Sequence, residues 1–165
     1  MKKIKYSNPL SLLNQKGFSL IELIIILVII GIMIAASSSR LKDITTNARV
    51  GASINQITGD IDQAKTISMS MRSQIQIIFN QNNETYTIYK DGILYNDFPG
   101  SENGIVNLLG DDNNADVDIT SVSLNGSNTL TFDKWGNCLQ SGNIVLNNDR
   151  QIQIKNLTGH WEIIN

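Results

Sequence analysis

The chain has 165 residues, room for about one domain, with 41% apolar residues and a net charge of −2. Its single cysteine, Cys138, excludes an intrachain disulfide, and with the single histidine, His160, it cannot supply the roughly four Cys and His ligands of a structural zinc site. The charge is split: Lys2, Lys3, Lys5 and Lys16 precede Phe18 with no acid among them, whereas after Ser73 the acids outnumber Lys90, Lys134, Arg150 and Lys155 by about seven, a surface that repels polyanions and argues against general nucleic-acid binding.

Residues 1–17 read as a short basic leader. Phe18 to Ala36, FSLIELIIILVIIGIMIAA, is apolar except for Glu22. At about 1.5 Å per residue such a helix just covers a hydrocarbon core of roughly 30 Å. The larger basic cluster lies before it, and only Arg40 and Lys42 follow closely. That asymmetry keeps the N-terminus cytoplasmic and places the C-terminal domain outside. A cleaved secretory signal would carry a shorter apolar core of roughly 7–15 residues. A plain signal anchor explains the length but not Glu22, since a carboxylate in a membrane span costs a few kcal/mol. A cut between Gly17 and Phe18 would create an α-amino group, the natural partner for that carboxylate on the same or a neighbouring subunit.

From Ser37 to Ser73 apolar or small residues recur at Leu41, Ile44, Ala48, Gly51, Ile54, Ile57, Ile61, Ala64, Ile67 or Ser68, and Met71. Steps of three and four predict one helix face, continuous with the apolar block and giving a helix of about 55 residues. The stripe after about Ala52 is expected to pack on the chain's own sheet, and the earlier part on neighbouring subunits or lipid. From Gln74 the period changes to two. Strands are predicted at 75–79, 85–90, 93–95, 117–124, 129–133, 143–146, 151–155 and 161–164. Asp91-Gly92, Asn125-Gly126 and Asn147-Asn148-Asp149 supply turns. Short strands after one long helix predict an α+β fold: a helix with a membrane-spanning first half, packed on an antiparallel β-sheet domain over 74–165.

The stretch Lys16-Gly17-Phe18-Ser19-Leu20-Ile21-Glu22-Leu23 resembles the processing motif of type IV prepilins and type II secretion pseudopilins. The resemblance covers about the first forty residues and implies a pilin-like fold. It further implies cleavage after Gly17 by a membrane prepilin peptidase, methylation of Phe18, and an assembly role for Glu22. The implied partners are that peptidase, other pilin or pseudopilin subunits and an inner-membrane assembly platform. The implied location is the cytoplasmic membrane first and a filament afterwards. The chain departs from many family members in having no proline between Phe18 and Phe98.

Three stretches resemble the GspH/FimT group of minor pseudopilins. A helix ending at Met71-Arg72-Ser73 leads directly to a strand, Phe132-Asp133-Lys134-Trp135-Gly136 is like that group's F-x-x-x-G turn, and a closing strand pair is joined through Thr158-Gly159. The function this implies is a minor pseudopilin of a type II secretion pseudopilus. The alternative is a minor type IV pilin in pilus assembly, adhesion or DNA uptake.

Other candidate sites are weaker. Asp112, Asn114 and Asp116 alternate as in a calcium loop, but Val117 and Ser123 stand where an EF-hand needs Gly and Glu, so a solvated turn is preferred and no cofactor is assigned. Some related minor pilins bind DNA through an arginine motif near the C-terminal glycine. The matching Gly159-His160-Trp161-Glu162 has no arginine and carries an acid. No nucleophile–base constellation or phosphate-binding loop stands out, so the chain reads as a non-enzyme. Cys138 reads as a small semi-buried residue and His160 as packing or surface.

Overall fold

The structure is a computed structural model that describes residues 17–108 and 117–164, with the side chains of 37–43 outside the description. The candidate calcium residues Asp112, Asn114 and Asp116 lie outside the described residues, as does the leader up to Lys16. One helix, α1 (Leu20–Met71, 52 residues), is followed by nine strands: β1 (Ile75–Asn80), β2 (Thr85–Lys90), β3 (Ile93–Leu94), β4 (Ile105–Asn107), β5 (Ile119–Leu124), β6 (Thr129–Phe132), β7 (Gly142–Leu146), β8 (Arg150–Ile154) and β9 (Trp161–Ile164). The expected α+β, pilin-like layout is present. The chain divides into two compact units, Met1–Leu41 and Lys42–Asn165.

In the first unit the side chains from Phe18 to Ala36 are exposed. Among the described residues no helix is long and apolar enough to cross a membrane. The apolar part of α1 that is described, Leu20–Ala36, rises roughly 26 Å at the α-helical spacing, short of a hydrocarbon core of about 30 Å. The membrane-spanning half expected over 18–36 is therefore not shown by the structure.

In the second unit the predicted stripe becomes a buried face. Ile54, Ile57, Ile61 and Ala64 are at most 2% exposed, and Val50, which was not on the predicted stripe, is buried as well at 4%. Ile44, earlier on the stripe, is 64% exposed, as expected for the part that does not meet its own sheet. Polar residues on this face satisfy themselves within the helix. The Thr58 hydroxyl donates to the Ile54 carbonyl at 2.8 Å, and the Ser68 hydroxyl to the Lys65 carbonyl at 2.7 Å. The helix ends with Arg72 in the left-handed region (φ 51) and a Ser73 N–H to Ser68 carbonyl bond of 3.2 Å, the Schellman closure.

The strands form two antiparallel sheets. In the first the order is β3-β2-β1-β6, with β4 sharing the outer edge of β2 beside β3. In the second the order is β5-β7-β8-β9. Strand β4 was not expected from the sequence. It has only three residues, follows the Pro99-Gly100 loop and begins just after Gly104, where an added Cβ would meet the Tyr95 carbonyl oxygen at 2.9 Å. Alternation in β1 puts Ile75, Ile77 and Phe79 on the helix side, and Tyr86 and Ile88 join them from β2. Leu124, Leu130, Phe132, Ile144, Leu146, Ile152 and Ile154 complete a single core shared by both sheets and the helix.

One polar pair crosses this interface. The Tyr86 hydroxyl donates to Asp60 Oδ2 at 2.5 Å. Burial raises the Asp60 carboxyl above its ordinary value, partly opposed by this hydrogen bond, and burial and Asp60 together push the Tyr86 hydroxyl far up. Because Asp60 binds its proton more tightly when folded, its contribution to stability is fully present below the unfolded value of about 4. It is lost as pH rises through the raised folded value. Asp60→Asn keeps an acceptor for Tyr86 and removes the titration. Urea midpoints of the variant should therefore gain on the wild type as pH rises above about 4, with the gap closing below it. A constant gap across that window would refute the assignment.

Candidate functional site

The candidate site is the start of α1. Gly17, Phe18 and Ser19 precede the helix, and Phe18 is 74% exposed. An added Cβ on Gly17 would meet nothing within 4 Å. The Gly17–Phe18 peptide bond thus sits in exposed backbone outside the helix, open to a protease. The Ser19 carbonyl accepts the first helical bonds, from the N–H groups of Glu22 at 3.0 Å and Leu23 at 3.2 Å. Ser19 is therefore the N-cap, and Glu22 is the acid of the first turn.

Since the helix begins at Leu20, Phe18 lies outside it. An ion pair between Glu22 and an α-amino group on Phe18 of the same subunit therefore does not follow from helical periodicity. A second role for Glu22 was legible but not read from the sequence. Ser19-Leu20-Ile21-Glu22 is the S-x-x-E pattern of a capping box, and Phe18 and Leu23 occupy the two positions of a hydrophobic staple. A carboxylate in the first turn also opposes the helix dipole, worth about 0.3–1 kcal/mol.

The remaining candidates stand apart from this site. Asp133 closes the F-x-x-x-G turn: its carboxylate accepts the N–H groups of Trp135 and Asn137, both at 2.8 Å, and the Asn137 amide at 2.9 Å. The Asn137 side chain, followed by these backbone donors, holds the Asp133 carboxyl below the usual range. Gly136 (φ 82) lets the turn lie against Met69 of α1. Cys138 is fully buried rather than semi-buried. Its thiol donates to the Gln140 carbonyl at 3.1 Å, and burial pushes its pKa up, the opposite of an activated nucleophile.

The loop between β8 and β9 is tied to the helix. Lys65 Nζ donates to the Thr158 carbonyl at 2.6 Å, and Trp161 Nε1 to Asp62 Oδ2 at 3.2 Å. His160 is exposed and stands 3.6 Å from Glu162, whose carboxyl is held down chiefly by Lys155. Within Gly159–Glu162, Gly159 is buried and Trp161 packs on the core, while His160 and Glu162 face outward with a stabilised anion, not with cations for phosphate.

The family described as "Prokaryotic N-terminal methylation motif" matches residues 12–38. No curated protein and no solved structure matches the chain. The motif implies processing by a prepilin peptidase and assembly with pilin-like subunits. Together with one N-terminal helix followed by antiparallel sheets, it supports membership of the type IV prepilin-like superfamily.

Proposed function

We propose that this chain is a structural subunit of a type IV pilin-like filament, made as a precursor, cut after Gly17 and methylated on Phe18. The observation that carries the reading is the methylation motif over residues 12–38, set at an open backbone segment just before α1. Before assembly the apolar stretch 18–36 holds the subunit in the cytoplasmic membrane with its β domain outside. In the filament the same stretch packs on other subunits. All apolar residues from Phe18 to Ile34 are exposed in the isolated chain, which is costly in water and is relieved by lipid or by neighbouring helices. The role is structural and uses no catalytic residue and no cofactor.

Within this class the narrower reading is a minor pseudopilin of a type II secretion pseudopilus, processed by a prepilin peptidase and extended by an inner-membrane platform. Support comes from the helix-to-strand junction at Met71–Ile75, the Asp133 turn with Gly136 beside it, and the closing β8–β9 pair. A minor type IV pilin is the second reading, favoured by the same features. DNA binding finds no support in the outward anion at Glu162.

Mass spectrometry of the mature N-terminus tests the proposal. The expected product begins at Phe18 and carries one added methyl group. An intact Met1 would overturn the reading.

A further inference from the structure

Among the described residues, eight that are not glycine have positive φ, and Leu157 (φ 66) is the one with an apolar side chain. A left-handed backbone strains a leucine, and strain of this kind persists where the surroundings enforce it. Leu157 is held from both sides. Its N–H donates to the Cys138 carbonyl at 2.8 Å, and its carbonyl accepts the Cys138 N–H at 3.1 Å. Lys65 Nζ clamps the next carbonyl, that of Thr158. Cys138 across this bridge is buried, yet Leu157 is 68% exposed. The turn thus presents a leucine to solvent on a rigid base. Exposed Met69 and Trp135 lie on the same flank of α1, where the turn at Gly136 meets Met69 and Lys65. Exposed aromatic and methionine side chains around a fixed apolar knob suit an interface centre.

The opposite flank of α1 carries a cavity. Gln56 and Lys65 stand nine positions apart, which at about 100° per residue puts them on opposite sides of the helix. Gln56 lines an open cavity of about 410 Å³ with Glu102, Asn103, Ile105, Val106 and Asn107, ample for one side chain. Ile105, 43% exposed, and Val106 give it an apolar wall, and the three amides supply polar groups around it. The charges on the two flanks are complementary. Among the described residues no cation pairs with Glu102, and no carboxylate pairs with Lys65, whose ammonium donates to the Thr158 carbonyl. Because the flanks face away from each other, Leu157 and Lys65 cannot reach this cavity in their own chain.

We propose that Leu157 seats in this cavity on a second copy of the chain, with Lys65 of the first copy facing Glu102 of the second. The contact is heterologous. Each bound pair leaves one knob and one cavity free, so copies add side by side in an open series. This rests on the filament-subunit reading and adds to it a contact between the Lys42–Asn165 units of neighbouring subunits.

The test uses the full chain in bacterial membranes, with two differently tagged copies co-expressed. One carries His160→Cys and the other Gln56→Cys, both at exposed positions, with a short thiol–thiol cross-linker, and buried Cys138 serves as background in both. A cross-linked product bearing both tags is expected, with none above background when both copies carry the same added cysteine. Leu157→Gly in the first copy should lower the mixed yield roughly tenfold, because the anchor is gone. Glycine adopts positive φ without strain, so the urea midpoint of that variant should stay at or above the wild type. Glu102→Lys in the second copy should also lower the yield, because like charges then face each other. No mixed product, same-site products as abundant as the mixed one, or a yield indifferent to Leu157→Gly would overturn the docking. A lowered midpoint for Leu157→Gly would overturn it too, by assigning the leucine to folding. An N-terminus still beginning at Met1 would overturn the filament reading alone, since the cross-link reports on the two flanks whatever the N-terminus.

Discussion

Gly142→Ala is expected to destabilise the Lys42–Asn165 unit by roughly 3 kcal/mol or more, among the larger costs a single substitution brings. Gly142 opens β7 with φ 151, a backbone conformation that L side chains rarely adopt. A Cβ there would lie 1.8 Å from the Ser123 carbonyl oxygen, 2.8 Å from its carbonyl carbon and 3.0 Å from the Leu124 Cα. All three are backbone atoms, so no side chain can swing aside. β7 lies inside its sheet, with Gly142 opposite Leu124 on one side and Ile154 on the other. Relief of the clash must therefore spread β5 from β7 and disturb Leu124, Ile144 and Ile154, all buried. Gly136 is the control. There a Cβ would meet the flexible side chain of Met69 at 2.5 Å, and Met69 is 45% exposed and free to turn outward. Gly136→Ala should then cost only about 1–2 kcal/mol, the left-handed backbone penalty. Urea denaturation of both variants measures the difference. Equal midpoints for Gly142→Ala and the wild type would show that β5 and β7 do not pair in this register.

Glu22→Ala is expected to abolish incorporation into filaments while leaving cleavage after Gly17 intact. Two physical roles compete for this carboxylate. As the acid of the first turn it stabilises the helix start by about 0.3–1 kcal/mol, too little to decide assembly. Paired with the new α-amino group of a neighbouring subunit, at about 4 Å and an effective dielectric near 20, it would contribute about 4 kcal/mol before desolvation is counted. An unpaired amine in an apolar filament core would cost comparably. Glu22→Gln separates the two, since it keeps the acceptor that a capping box needs and removes the charge. If the Gln variant fails as the Ala variant does, the charge pair governs assembly. Normal incorporation of the Gln variant in cell-surface or filament fractions would assign Glu22 to capping alone.

What the sequence by itself determined lies in local patterns. The apolar block from Phe18, the Gly17-Phe18 junction and Glu22 are written in neighbouring residues, and the change of period at Gln74 marks where α1 gives way to β1. The buried stripe after Ala52 was legible for the same reason: Ile54, Ile57, Ile61 and Ala64 repeat at helical spacing, and the helix carries them to one side. Hairpins such as β1–β2 and β7–β8 follow from short turns between alternating runs. The start of α1 at Leu20 was less legible, because the apolar run extends across Phe18 and hides the cap at Ser19.

Only the tertiary structure decided which strands meet across long stretches of chain. β6 pairs with β1 rather than with its neighbours in sequence, and β4 pairs with the outer edge of β2. It also decided the ties that no periodicity announces: Tyr86 to Asp60, Lys65 to Thr158, Trp161 to Asp62, and the seat of Gly136 against Met69. The reason is physical. Helix faces and tight turns are settled by sterics within a few residues. Long-range pairing must first meet the entropy of closing a long loop, and it is favoured only when several distant segments bury their apolar faces together.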